Sequence, residues 1–259
     1  MDLGIKGRTA IVCASSRGLG RGCAEALARN GVNVVINGRD EAAIEETRAA
    51  IAAQSDVRVT PVIADLCAPE GQAALLAACP EPDILINNNG GPPFKDFREL
   101  DRPAMVDGVL MNMITPVELV QAVIDGMAAR GFGRIVNITS LSVKMPIEGL
   151  DLSSGARAGL TAFLAGVSPQ VARHNVTINN LLPGLIDTDR LRGSTRRAAE
   201  QSGRDEAAVA AERAAAVPAG RFGTAAEFGE ACAFLCSAQA GYITGQNLLI
   251  DGGRYPGAF

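Results

Sequence analysis

The residues whose types and spacing suggest chemistry begin with Ser15-Ser16-Arg17-Gly18-Leu19-Gly20-Arg21-Gly22. An apolar run, Thr9-Ala10-Ile11-Val12-Cys13-Ala14, leads into this stretch, and an Ala-rich segment with helical spacing, residues 23–30, leaves it and stops at Gly31. A strand, a Ser/Gly turn and a helix together offer a phosphate free backbone N–H groups and the positive end of a helix. Ser15, Arg17, Gly18, Leu19 and Gly20 are therefore candidates for holding a nucleotide cofactor. The next apolar run, residues 32–37, ends in Gly38-Arg39-Asp40. Many NAD-binding folds place an acidic residue after the second strand to accept the ribose 2′-OH. Here Arg39 stands near that place, and Arg17 lies in the turn itself. Two guanidiniums beside the adenosine ribose favour a 2′-phosphate, hence NADP(H) over NAD(H). Asp65, followed by Leu66, closes a third run and would accept a hydrogen bond from the adenine amino group. Asn87-Asn88-Asn89-Gly90-Gly91 closes a fourth and carries more donors and acceptors than a turn requires.

These turns need a scaffold that gathers them on one side. Seven strand candidates, residues 9–14, 32–37, 57–63, 83–87, 134–138, 176–182 and 247–250, alternate with helical stretches at 41–54, 69–79, 103–130, 153–173 and 225–237. Continuously apolar strands joined by helices indicate a parallel sheet covered on both faces. The expected fold is a doubly wound, seven-stranded parallel α/β sheet of Rossmann type. Its ligand crevice lies at the carboxyl ends of the strands, where every polar motif above falls. With no linker in the sequence, one domain is expected over residues 1–259, carrying an Ala-rich, charged helical insertion near 188–217 that resembles a lid. Composition, 47% hydrophobic and 20% charged, suits a globular protein, and the net charge of −4 argues against nucleic acid or an anionic membrane surface as partner. No apolar run is judged long enough to span a bilayer and the start lacks a signal-peptide pattern, so a cytoplasmic location is expected. The six cysteines show no ligand spacing and His174 is the single histidine, so reduced, mostly buried thiols and no metal site are expected. His174 itself falls near the end of a helical stretch.

Further motifs recur in order along the chain. Cys13-Ala14-Ser15-Ser16-Arg17-Gly18-Leu19-Gly20 stands for T-G-x-x-x-G-x-G, and Asn87-Asn88-Asn89-Gly90 for N-N-A-G. Gly133-Arg134-Ile135-Val136-Asn137-Ile138-Thr139-Ser140 looks like a strand ending in a catalytic Ser. Asn179-Asn180-Leu181-Leu182-Pro183-Gly184-Leu185-Ile186-Asp187-Thr188 matches N-x-x-x-P-G-x-x-x-T. With these motifs the chain resembles the short-chain dehydrogenase/reductase family over nearly its whole length, and its tail, from Gly220-Arg221-Phe222-Gly223 to Ile250-Asp251-Gly252-Gly253, is similar to that of 3-oxoacyl-carrier-protein reductases. The resemblance implies an oxidoreductase that interconverts a carbonyl and a secondary alcohol. Asn88, Gly90, Ile186 and Thr188 join the cofactor residues, and Asn112 and Ser140 occupy catalytic positions. It also implies a homotetramer or dimer with the last long helix and the Gly-rich tail at an interface.

At the family's acid/base pair, Tyr-x-x-x-Lys, this sequence departs from the pattern. Thirteen residues after Ser140 stands Ser153, and Arg157 replaces the Lys (153 − 140 = 13). The combination resembles a divergent 3-oxoacyl-reductase-like group. Carbonyl reduction leaves an alkoxide that needs a proton. A Tyr, with an ordinary pKa of about 10, serves once a nearby cation lowers it, whereas Ser is a far weaker acid. Ser140 and Ser153 would polarise the carbonyl oxygen, while Arg157 would bind the nicotinamide ribose or stabilise developing negative charge. Lys144, in the loop after Ser140, is either a proton donor, since partial burial lowers an ammonium pKa, or a surface lysine on a mobile loop. Arg190, Arg192, Arg196 and Arg197 flank the insertion. They would either meet an acidic or phosphorylated substrate, such as a carrier-linked or CoA-linked acyl group, or line a solvated helix face. The Ser/Arg replacement leaves two rival readings open, a non-redox lyase or epimerase on this scaffold and an NADP(H)-binding protein without turnover.

Overall fold

The computed structural model describes residues 2–92 and 94–258. Strands β1 (Thr9–Val12), β2 (Asn33–Gly38), β3 (Val59–Ile63), β4 (Ile84–Asn87), β5 (Gly133–Ile138), β6 (Val176–Pro183) and β7 (Asn247–Ile250) form one parallel sheet in the order 3-2-1-4-5-6-7. All seven coincide with the runs expected from sequence. β1 stops two residues earlier than expected because Ala14 takes a left-handed φ of 43° and turns the chain out of the sheet. The helices are α1 (Gly18–Arg29), α2 (Glu41–Ala52), α3 (Pro69–Ala78), α4 (Arg102–Val109), α5 (Thr115–Ala129), α6 (Asp151–Val171), α7 (Asp189–Ser202), α8 (Glu206–Ala215) and α9 (Ala225–Cys236).

Alternation along the buried strands sorts the core into two layers. Ala10, Val12, Ile84, Ile86, Val136 and Ile138 face α1 and α9, packing with Leu27, Phe228 and Cys232. Their neighbours Ile11, Leu85 and Ile135 face the other way, packing with Leu119, Val123 and Met127 of α5 and Leu160 and Leu164 of α6. The insertion is a helix pair, α7 capped by the Thr188 hydroxyl and α8 by the Asp205 carboxylate.

Two sequence expectations need correction. The stretch 103–130 is not one α-helix. A π-helical turn, Leu110–Ile114, separates α4 from α5. An extra residue per turn leaves the apolar pattern on either side intact, so periodicity did not reveal it. The same helical run, Arg102–Ala129, is also long and apolar enough by composition alone to cross a bilayer. Here its Leu119, Val120, Val123 and Met127 are spent on the core.

Side-chain amides bind the carboxyl half of the sheet together. Asn87 on β4 donates to Asn137 on β5 (2.9 Å), Asn137 to Asn180 on β6 (3.1 Å), and Asn180 to Asn247 on β7 (2.8 Å). These residues are register partners across three strand pairs, so one amide stands directly beside the next.

Candidate active site

The sheet order reverses between β1 and β4, and the loops leaving the two strands part there to form a crevice. Four hydrogen bonds assemble the glycine turn at this point. The Asn37 carboxamide oxygen accepts from Ala14 N (3.2 Å), the Asn88 amide donates to Ala14 O (3.1 Å), and Ser15 Oγ donates to Val12 O (2.7 Å) while accepting from Asn37 N (2.9 Å). Ser15 thus shapes the turn rather than offering a hydroxyl to a ligand. A Cβ at Gly20 would lie 2.4 Å from Ala14 O, so only glycine lets α1 start this close to β1.

Helix α1 has no side-chain cap and no acidic residue in its first turn, whereas Asp40 and Thr188 cap α2 and α7. Its leading N–H groups remain for an anion. Thr188 stands over Gly18, with Cγ2 3.5 Å from where a Cβ would be. Ile186 is buried and bridges to Gly223 by its backbone, which fixes the segment leading to Thr188. A Cβ on Gly90 would meet nothing within 4 Å, so the crevice is open on that side. Arg17 and Arg39 project into solvent at the outer end, Arg17 paired with Asp40 (2.6 Å) and Arg39 with Asp65 (3.4 Å). Leu66 is buried in the sheet layer behind Asp65. These features fit a dinucleotide: an uncapped helix start for the diphosphate, an open floor, and exposed guanidiniums near the second strand.

Ser153 and Arg157 lie one helical turn apart on the buried face of α6. The Arg157 guanidinium is the hub of the site. It donates to the Ile138 carbonyl at the end of β5 (2.6 Å), to the Asn89 carbonyl after β4 (3.3 Å), and through Nε to Ser153 Oγ (3.3 Å). Burial, and then the charge of Arg190, push its pKa down to about 10. It therefore remains a cation at neutral pH.

Ser140 lies two residues past β5 and caps the short turn Leu141–Val143, and its Oγ accepts from the Ser142 amide (3.1 Å) and hydroxyl (2.9 Å), which orients it. Asn112 sits in the π-turn, donating to Gly108 O (3.3 Å), and its buried Oδ1 has no partner. Asn87 Oδ1, Thr115 Oγ1 and Thr177 Oγ1 are the other buried side-chain oxygens without a partner among the described residues. Asn89 joins the parts, with its amide on Met111 O of the π-turn (2.7 Å) and its carbonyl on Arg157. Lys144 ends the short turn after Ser140, and its ammonium lies 5.4 Å from the centroid of the Tyr255 ring.

Sequence reasoning undervalued two residues. Tyr255, 111 residues after Lys144 in the sequence (255 − 144 = 111), is brought to it by the tail. Arg190 belongs to the arginine run flanking the insertion and is exposed, yet it is bonded to the loop after β4, donating to the Gly91 (3.0 Å) and Pro92 (3.1 Å) carbonyls. Arg192 pairs with Asp187 and Asp189, and Arg196 with Glu206, as a solvated face would. The signal for Arg190 was its place two residues after Thr188, at the start of α7.

The family profile described as enoyl-(acyl carrier protein) reductase matches residues 13–254. The 3-oxoacyl-[acyl-carrier-protein] reductase FabG of Vibrio cholerae is 31% identical over 257 residues, covering 98% of this chain and 99% of its own. The NADPH-dependent reductase BacG of Bacillus subtilis is 30% identical over 251 residues, covering 95% and 97%. Among solved structures, the L-sorbose reductase of Gluconobacter frateurii, in complex with NADPH and L-sorbose, superposes with a TM-score of 0.93 at 27% identity, covering 99% of this chain and 100% of its own. With the whole sheet, the glycine turn and the Ser140 strand in common order, the chain belongs to the short-chain dehydrogenase/reductase family.

Proposed function

We propose that the chain is an NADP(H)-dependent oxidoreductase interconverting a small carbonyl compound and its secondary alcohol, similar in chemistry to 3-oxoacyl reductases. The observation that carries this reading is Arg157, buried at the carboxyl end of β5 and bonded to Ser153, beside a glycine turn whose helix start is open. The NADPH-dependent relatives at 30% and 27% identity support the choice of cofactor. The backbone of Gly18, Leu19 and Gly20 and the start of α1 would receive the diphosphate, with Ser15 holding the turn. Arg17 and Arg39 would take the 2′-phosphate, Asp65 and Leu66 the adenine, and Asn88, Gly90, Arg157, Ile186 and Thr188 the nicotinamide half. The bound cofactor supplies or accepts the hydride. The Ser140 and Ser153 hydroxyls orient the carbonyl oxygen and Arg157 stabilises the negative charge that grows on it. Asn112 shapes the floor beside α6. Lys144, held against the Tyr255 ring, delivers the proton that completes the alcohol. A homo-oligomer, tetramer or dimer, fits the exposed Phe234 of α9 and Leu248 of β7.

Loading with NADPH and screening ketones and secondary alcohols at the nicotinamide absorbance tests this reading. Arg157→Ala is expected to lower kcat/KM by about a hundredfold or more while NADPH still binds. Lys144→Ala is expected to lower kcat with KM little changed. NADPH binding without turnover on any carbonyl would instead favour a cofactor-binding protein. Turnover without net oxidation or reduction would favour a lyase or epimerase.

A further inference from the structure

Arg157 and Arg190 approach one short loop from opposite elements. Arg157 rises from α6 and reaches the Asn89 carbonyl, and Arg190 descends from α7 and reaches the Gly91 and Pro92 carbonyls. The approach is close, since a Cβ on Gly91 would lie 2.6 Å from Arg190 Nη2. Neither guanidinium has an acidic partner among the described residues, although most other arginines of the α7 and α8 region do. Arg157 is 92% buried, being 8% exposed, and every group it touches is neutral. Buried charges are ordinarily paired or offset by a bound ion. Among the described residues, Arg190 Nε–H and one proton on each terminal nitrogen make no hydrogen bond. Arg197 adds a third positive charge whose field reaches Arg190.

We propose that Arg157 and Arg190 form an anion subsite that holds a carboxylate of the substrate, so that the reducible compound is an oxo acid and the product its hydroxy acid. The inference rests on the oxidoreductase reading for the words substrate and product. The subsite itself stands on the two guanidiniums alone. A carboxylate offers planar, paired acceptors to the forked donors of Arg190 and supplies the counter-charge that Arg157 lacks. With Ser140 and Ser153 at the carbonyl end, the carboxylate would sit on the α7 side, beneath the helix pair. Arg190 is then a specificity-determining residue carried by the insertion, already anchored on the loop after β4 by the Gly91 and Pro92 carbonyls. Burial first, and the Arg190 charge second, disfavour the Arg157 cation, and a bound anion offsets both.

Matched pairs test this without requiring the natural substrate. Acetoacetate and pyruvate are compared with their methyl esters, and with acetoacetyl-CoA, by calorimetry on the NADP⁺-loaded protein, where no reduction occurs. NADP⁺ loading is measured first and separately, so a failure of the cofactor reading is seen as such. The acid–ester comparison is repeated on the unloaded protein by thermal shift, which reads the subsite in either case. At least one free acid is expected to bind about tenfold or more tightly than its ester. Arg190→Gln is expected to level acid and ester while NADP⁺ affinity and the circular dichroism spectrum are retained, and Arg190→Lys to keep part of the preference. Equal binding of acids and esters, no binding of either acid, or tighter binding of acetoacetyl-CoA than of free acetoacetate overturns the proposal.

Discussion

Ala14 carries a φ of 43° at the end of β1, where a side chain meets the following carbonyl. The family motif places glycine at this position, and the backbone here adopts the glycine conformation with an alanine in it. Such a residue costs roughly 1–2 kcal/mol, partly offset because glycine would loosen the unfolded chain by about 0.5–1 kcal/mol. Ala14→Gly is therefore expected to stabilise the fold by about 0.5–1 kcal/mol, read as a higher urea midpoint with an unchanged slope. An unchanged or lower midpoint would mean that the contacts of the Ala14 methyl outweigh the strain. Arg157 also costs stability, through the burial of its cation. Its pKa is lower folded than unfolded, so the buried cation disfavours the fold at every pH below about 10, and that cost fades only as pH rises through the folded and toward the unfolded value. The sequence identified Arg157 through its spacing from Ser140. Its missing counter-charge is a property of packing and was not legible there.

The strands and helices were legible because their apolar periods differ, and the polar motifs were legible as ends of strands. What those motifs do to one another was not. Asn87, Asn137 and Asn180 were each assigned to a motif of their own, yet across β4, β5 and β6 they form one amide chain that continues to Asn247. Register between distant strands is set by the tertiary fold, so no local pattern carried it. The π-turn at Asn112 was hidden for a different reason, since one extra helical residue barely moves an apolar stripe. The asparagine chain also ties four adjacent strands at fixed relative height, from the last residue of β4 to the first residue of β7. Asn137 is its central member, donating to both Asn180 Oδ1 and Asn179 O and accepting from Asn87. Asn137→Leu would take the acceptor from one Asn87 amide N–H and the donor from Asn180 Oδ1, while Asn87 keeps Pro116 O and Asn180 keeps Asn247. A loss of about 2–4 kcal/mol is expected in chemical denaturation. A loss below 1 kcal/mol would show that the backbone ladder alone sets the sheet.

For the molecule as a whole, the parallel order 3-2-1-4-5-6-7 puts all strand ends on one edge and divides that edge at the β1–β4 boundary. The chemistry-bearing parts, Ser140, Ser153 and Arg157, lie over β4 to β6, and the parts suited to the adenosine lie over β1 to β3. Cofactor choice is therefore separable from catalysis. Arg39 is 74% exposed in its side chain and its pairing with Asp65 is long at 3.4 Å, so turning it toward a phosphate sacrifices little. Arg39→Asp replaces a phosphate donor with a carboxylate suited to a ribose 2′-OH. NADPH affinity is expected to fall about tenfold or more, with NADH affinity unchanged or improved. Because a ligand stabilises the fold in proportion to the logarithm of its saturation, the same change appears as a smaller thermal shift with NADPH and an equal or larger one with NADH. Equal losses for the two cofactors would show that Arg39 supports the loop rather than reads the phosphate, leaving Arg17 as the residue to test next.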